Sequence, residues 1–152
     1  MKKIVLLIIL SIILPSAVVG KIRILSFPDL IKASEIIVIA KMTAKSPFEG
    51  KWGPQMKNTL VLERCLKGDW AKDTPLTFLT DERKDSGCDD TVGSPEIGAR
   101  LVLFFKKAAD GSLMIVNSLQ GMWLLESGTA RPIGMGTTYT LEAIEKEVLN
   151  NM

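Results

Sequence analysis

Residues 35–42 read Glu-Ile-Ile-Val-Ile-Ala-Lys-Met. Four β-branched residues stand in succession, which disfavours a helix because each loses side-chain freedom against the preceding turn. The run therefore predicts a strand. Apolar side chains fall at odd and even positions alike, so both faces must be covered, as in a central strand. Arg100-Leu-Val-Leu-Phe-Phe-Lys106 repeats the pattern more strongly. Two such strands require a partner layer on each side, and this requirement shapes every other expectation.

The remaining elements fall into place around them. Ser26-Phe27-Pro28-Asp29 opens a short helix to Ser34: the serine can cap, and proline is tolerated in the first turn. A strand is expected over 57–66, with Leu60, Leu62 and Leu66 on one face and Val61, Glu63 and Cys65 on the other. Leu76 to Leu79 is a short strand after Pro75. Asp110-Gly111 marks a hairpin turn between 100–106 and Leu113–Val116. Residues 121–126 form another strand, Ser127-Gly128 a second turn, and Ala130 to Ile133 a returning segment. Thr140 caps a helix to about Asn150, with Leu141, Ile144, Val148 and Leu149 as its apolar stripe. Residues 45–55 carry two prolines and two glycines and are expected to be loop. So are the polar, glycine-containing residues 81–97. About six strands in hairpin succession, with a helix at each end, fit a small curled sheet or barrel.

The start of the chain predicts destination. Lys2 and Lys3 precede an apolar run from Ile4 to Leu14, broken by Pro15, and small residues follow. This is the pattern of a secretory signal, too short for a comfortable membrane span. Cleavage is expected after Gly20, leaving residues 21–152 as one domain; retention as an anchor is the alternative. An exported protein, periplasmic or extracellular, is the expectation, with no membrane span once the leader is gone. Two of the 19 basic residues leave with the leader, so 17 remain against 17 acidic ones. That balance argues against nucleic acid as a partner, because phosphate binding needs surplus cations on one face.

The chain has no histidine. Serine–histidine and cysteine–histidine nucleophile pairs are thereby excluded, as are histidine-based zinc sites. Nothing calls for a cofactor or a metal. Cys65 and Cys88 are the only cysteines. In an exported chain they are expected to bridge. Such a disulfide would close a loop of about 24 residues and stabilise by roughly 3 kcal/mol in the chain-entropy model. The alternative is two separate thiols, or one of them used with another protein.

Three segments taken in order resemble a known family. Residues 33–42, Ala-Ser-Glu-Ile-Ile-Val-Ile-Ala-Lys-Met, are similar to the "A-D-x-I-V-x-G-x-V" strand of bacterial exported proteins that resemble tissue inhibitors of metalloproteinases. Residues 60–69 resemble their "F-x-V-x-x-V-L-K-G" strand, and residues 98–105 their "G-x-R-Y-L-L-F-L" strand. The resemblance covers roughly residues 30–126. It implies a netrin-like module, an OB-type five-stranded barrel with a flanking helix; together with the elements read above, the expectation is a mainly β, five- to six-stranded OB-like barrel with a short N-terminal and a C-terminal helix. The animal inhibitors chelate the protease zinc through an N-terminal cysteine. No cysteine precedes Cys65 here, so protease inhibition is not carried over.

Candidate site residues are Phe48, Trp52 and Trp70, aromatics in turn-rich segments that can stack on a sugar or a peptide. Packing over the barrel ends is the competing role. Lys45, Lys51 and Lys57 surround Trp52 and could attract an anion, against the plainer role of solvated charge. Asp81, Glu82, Asp85, Asp89 and Asp90, with Arg83 and Lys84, could hold calcium or supply a carboxylate pair, although their spacing matches no calcium loop. Gly134-Met-Gly-Thr137 lacks the lysine and preceding strand of a phosphate cradle. The expectation is an exported, non-enzymatic module binding a protein or glycan outside the cytoplasm. A structural part of an envelope assembly and a carboxylate-dependent hydrolase are the alternatives.

Overall fold

The computed structural model describes residues 23–51, 53–72, 74–82 and 92–152. The expected leader and its expected cut after Gly20 lie outside them, as do Trp52 and Cys88. Helix α1 (Phe27–Ala33) comes first, then strands β1 (Ile36–Gly50), β2 (Gly53–Lys67), β3 (Leu76–Asp81), β4 (Arg100–Lys107), β5 (Leu113–Ile115), β6 (Met122–Glu126), β7 (Thr129–Pro132) and β8 (Tyr139–Thr140), and last helix α2 (Leu141–Asn150).

The strands run in the order β1-β2-β3-β5-β4-β6-β7-β8, and β1 also pairs with β4. That second pairing closes β1, β2, β3, β5 and β4 into a five-stranded ring. The molecule is thus a small OB-like barrel. Its closure is weakest between β3 and β5, which are parallel and joined only at Phe78 and Leu113. On its edge away from β1, β4 serves two partners. Lys107 to Phe105 pair with β5, and Leu103 to Leu101 with β6. The sheet therefore branches there, and β6, β7 and β8 carry it outside the barrel.

The double-sided burial expected of β1 and β4 is met by two cores. Ile36, Val38, Ala40 and Met42 point inward with Leu101, Leu103 and Phe105. Ile37 and Ile39 point outward with Val102 and Phe104, into a second core completed by Leu30, Ile31, Trp123, Leu125, Ile144 and Val148. Each large side chain so buried contributes about 1.5–3 kcal/mol. The second core is rich in aromatic contacts. Phe27 stacks on Tyr139 with ring centroids 4.5 Å apart, and Trp123 lies parallel to Tyr139 at 5.6 Å.

Both helices begin as their sequences require. Ser26 Oγ accepts from Asp29 N and Thr140 Oγ1 from Ala143 N. The stripe of α2 is shorter than expected: Ile144 and Val148 are buried, Leu141 packs against them, and Leu149 is 67 % exposed. Val148, one residue earlier, is buried, so it is the helical rotation of about 100° per residue that turns Leu149 off the packed face.

Four further expectations need correction. The segment 45–55 is not a loop. β1 and β2 stay paired up to Gly50 opposite Gly53, forming a long arm that extends past the barrel. Pro47 is tolerated because β4 pairs with β1 only as far as Lys41, leaving the outer edge of residues 45–50 with no strand to serve, and Pro54 because it stands at the start of β2, one residue before the pairing with β3 begins.

The faces of β2 do not alternate simply. The register slips three times: Glu63 and Leu66 have no partner opposite on β1, and Thr43 has none on β2. Each slip is a bulge that turns the following side chains over. Cys65 consequently joins Leu60 and Leu62 against the barrel interior, while Leu66 packs into the second core.

The expected disulfide is absent. Cys65 is a free thiol. Its half-buried Sγ donates to the carbonyl of Lys67 at 3.2 Å, and burial raises its pKa above the usual thiol range. The sulfur packs against the barrel interior, and hydrogen bonds do the fastening expected of it, as described below.

The strand count is also higher than expected, with eight strands among the described residues against about six. The two-residue β8 carries no hydrophobic period by which it could be recognised.

Candidate functional site

The arm and β3 lay three strands side by side, and their register decides what shares the outer face. Phe48 stands opposite Gln55, and Gln55 opposite Asp81. One row further toward the barrel, Ser46 faces Lys57 and Lys57 faces Leu79. Gly50 makes room for the Gln55 side chain: a Cβ there would come within 2.1 Å of Gln55 Oε1.

Beyond the single β3–β5 pair the two strands diverge and leave a groove of ≈ 630 Å³. Phe78, Leu113 and Met122, all from the barrel interior, form its floor. Phe48, Leu79 and Met114 form its lip at 44 %, 42 % and 47 % exposure. Lys57 and Ser112 add polar groups to the walls. A concave site of this size with a mainly apolar lining and a few polar groups is the usual form of a binding pocket.

The wall is held from behind by a buried polar cluster. Asn58 on β2 has no solvent exposure. Its Nδ2 donates to Thr80 Oγ1 at 3.0 Å, to the Met56 carbonyl at 3.2 Å and to the Phe78 carbonyl at 3.4 Å, while its Oδ1 accepts from Ser94 Oγ. Glu82 Oε1 accepts from Ser94 N at 3.2 Å. The outgoing and returning legs of the β3–β4 connection are thus joined at their base, and Val92 is placed on the groove wall.

Among the expected site residues, Phe48 is on the groove lip. Trp70 is elsewhere: it is half-buried against the barrel interior, and its Nε1 donates to the Thr74 carbonyl at 3.2 Å. Trp52 lies outside the described residues, so the three aromatics are not seen together. Lys57 reaches the groove, whereas Lys45 turns away to the Pro95 carbonyl at 3.4 Å and to Glu96 at 3.7 Å; Lys51 is exposed beside the arm's turn. Of the acidic set, Asp81 lines the groove and Glu82 accepts from Ser94 N in the polar cluster behind it; Arg83, Lys84, Asp85, Asp89 and Asp90 lie outside the described residues. Among the described residues no group of three or more Cys, Asp and Glu stands close enough to hold a metal ion. Gly134 is a close-packing position, where a Cβ would meet the Leu119 carbonyl at 2.3 Å.

Sequence reasoning missed Gln55, Leu79, Met114 and the Asn58 cluster. One signal was available for Leu79. In a strand whose inward positions are Leu76, Phe78 and Thr80, a leucine at 79 must face out. Among the described residues no helix is long and apolar enough to cross a membrane. Compared with protein-family models and with curated proteins, the chain matches none.

Proposed function

We propose that the chain is an exported, non-enzymatic binding module whose groove captures an extended segment of a partner protein. The groove between β3 and β5 carries this reading: two strand edges diverge over an apolar floor, with Phe48, Leu79 and Met114 exposed at the lip. Strand edges suit an extended backbone, and the gaps between them suit its alternate side chains. Methionine adapts to side chains of varied shape, so Met114 and Met122 favour a polypeptide over a sugar, which needs flat rings and fixed polar groups. The lysine-led apolar leader supports export to a periplasm or the exterior. The OB-like ring is compatible with the netrin-like resemblance, and the lack of a cysteine before Cys65 sets the module apart from protease inhibition.

Site-specific photocrosslinking in the native envelope tests the reading. A photoreactive phenylalanine analogue at Leu79 should give a discrete protein adduct, and the same group at Leu149, exposed on α2, should not. Equal adducts from both positions, or adducts with glycan alone from Leu79, would overturn it.

A further inference from the structure

We draw no further inference here: the strongest candidate, the second cleft of ≈ 620 Å³ between the Gly93–Arg100 return leg and the β6–β7 hairpin, sets Arg100 and Arg131 among Glu96 and Glu126, and nothing in the structure shows what covers it.

Discussion

Ser94 Oγ donates to Oδ1 of Asn58, a side chain closed to solvent and 36 positions earlier in the chain. This bond ties the returning leg of the β3–β4 connection to β2. Replacing Asn58 by alanine removes the hub and strands Thr80 and Ser94 with fewer partners. The expected loss is about 2–3 kcal/mol, against about 1 kcal/mol for Ser94→Ala, which leaves the bonds to Thr80 and Phe78 in place. Urea unfolding midpoints of the two variants check the order.

Gly68 and Gly111 have the same backbone φ of +82°, yet they should not tolerate alanine equally. A Cβ at Gly111 meets nothing, so Gly111→Ala costs about 1–2 kcal/mol for the left-handed conformation. At Gly68 the Cβ would stand 2.4 Å from the Glu35 carbonyl oxygen, which is backbone and cannot swing aside. Gly68→Ala should therefore lose about 3 kcal/mol or more. Thermal melts of both variants give the comparison directly.

Arg100 grips Glu63 through two nitrogens, at 2.6 Å and 3.1 Å, and holds its carboxyl below the usual carboxylate range. A lowered folded pKa means the bond stabilises above the unfolded value and fades as pH falls through the folded one. Partial exposure limits the effect to less than about 1 kcal/mol. Stability measured from about pH 6 down to about pH 3 should decline less steeply in Arg100→Gln than in the parent.

Cys65 should remain alkylatable without reductant once the protein is unfolded, as a free thiol must. In the native protein burial holds its pKa up and partly covers the sulfur, so at about pH 8 it should react more slowly than in the unfolded chain. Peptide mapping after timed alkylation reads both rates.

Phe48→Ala should reduce partner capture by about tenfold or more, the usual cost of losing an aromatic anchor. Its melting point should hardly move, because the ring is 44 % exposed and belongs to neither core. A variant that melts early with capture intact would assign Phe48 to packing.

What the sequence made legible was periodicity. The continuous apolar runs at 36–40 and 101–105 demanded cover on both sides, and the two cores supply it. Capping serines and threonines, with the Asp110-Gly111 turn, placed the other elements well. The arm is illegible because Pro47 and Pro54 signal a break in any local reading, and only the missing neighbour on the outer edge of β1 and the place of Pro54 before the β3 pairing make them harmless. Simple alternation puts Cys65 on the wrong face because a bulge leaves no mark in composition. The disulfide was inferred from compartment alone, and compartment says nothing about where a sulfur points. The groove arises where β3 and β5 separate, a property of barrel closure that no single segment encodes.

The pairing of β1 with β4 ends at Lys41, and from that point the strand changes character. Up to Ala40 it is sandwiched between two interiors, and there almost any replacement is felt in one core or the other. Past it, Ala44 to Glu49 project from the barrel with little packing to disturb. Variation is thus free to accumulate on the arm while the foundation stays fixed. Under the proposed binding role, changes at Phe48 and its neighbours alter what the groove accepts while the barrel keeps its fold.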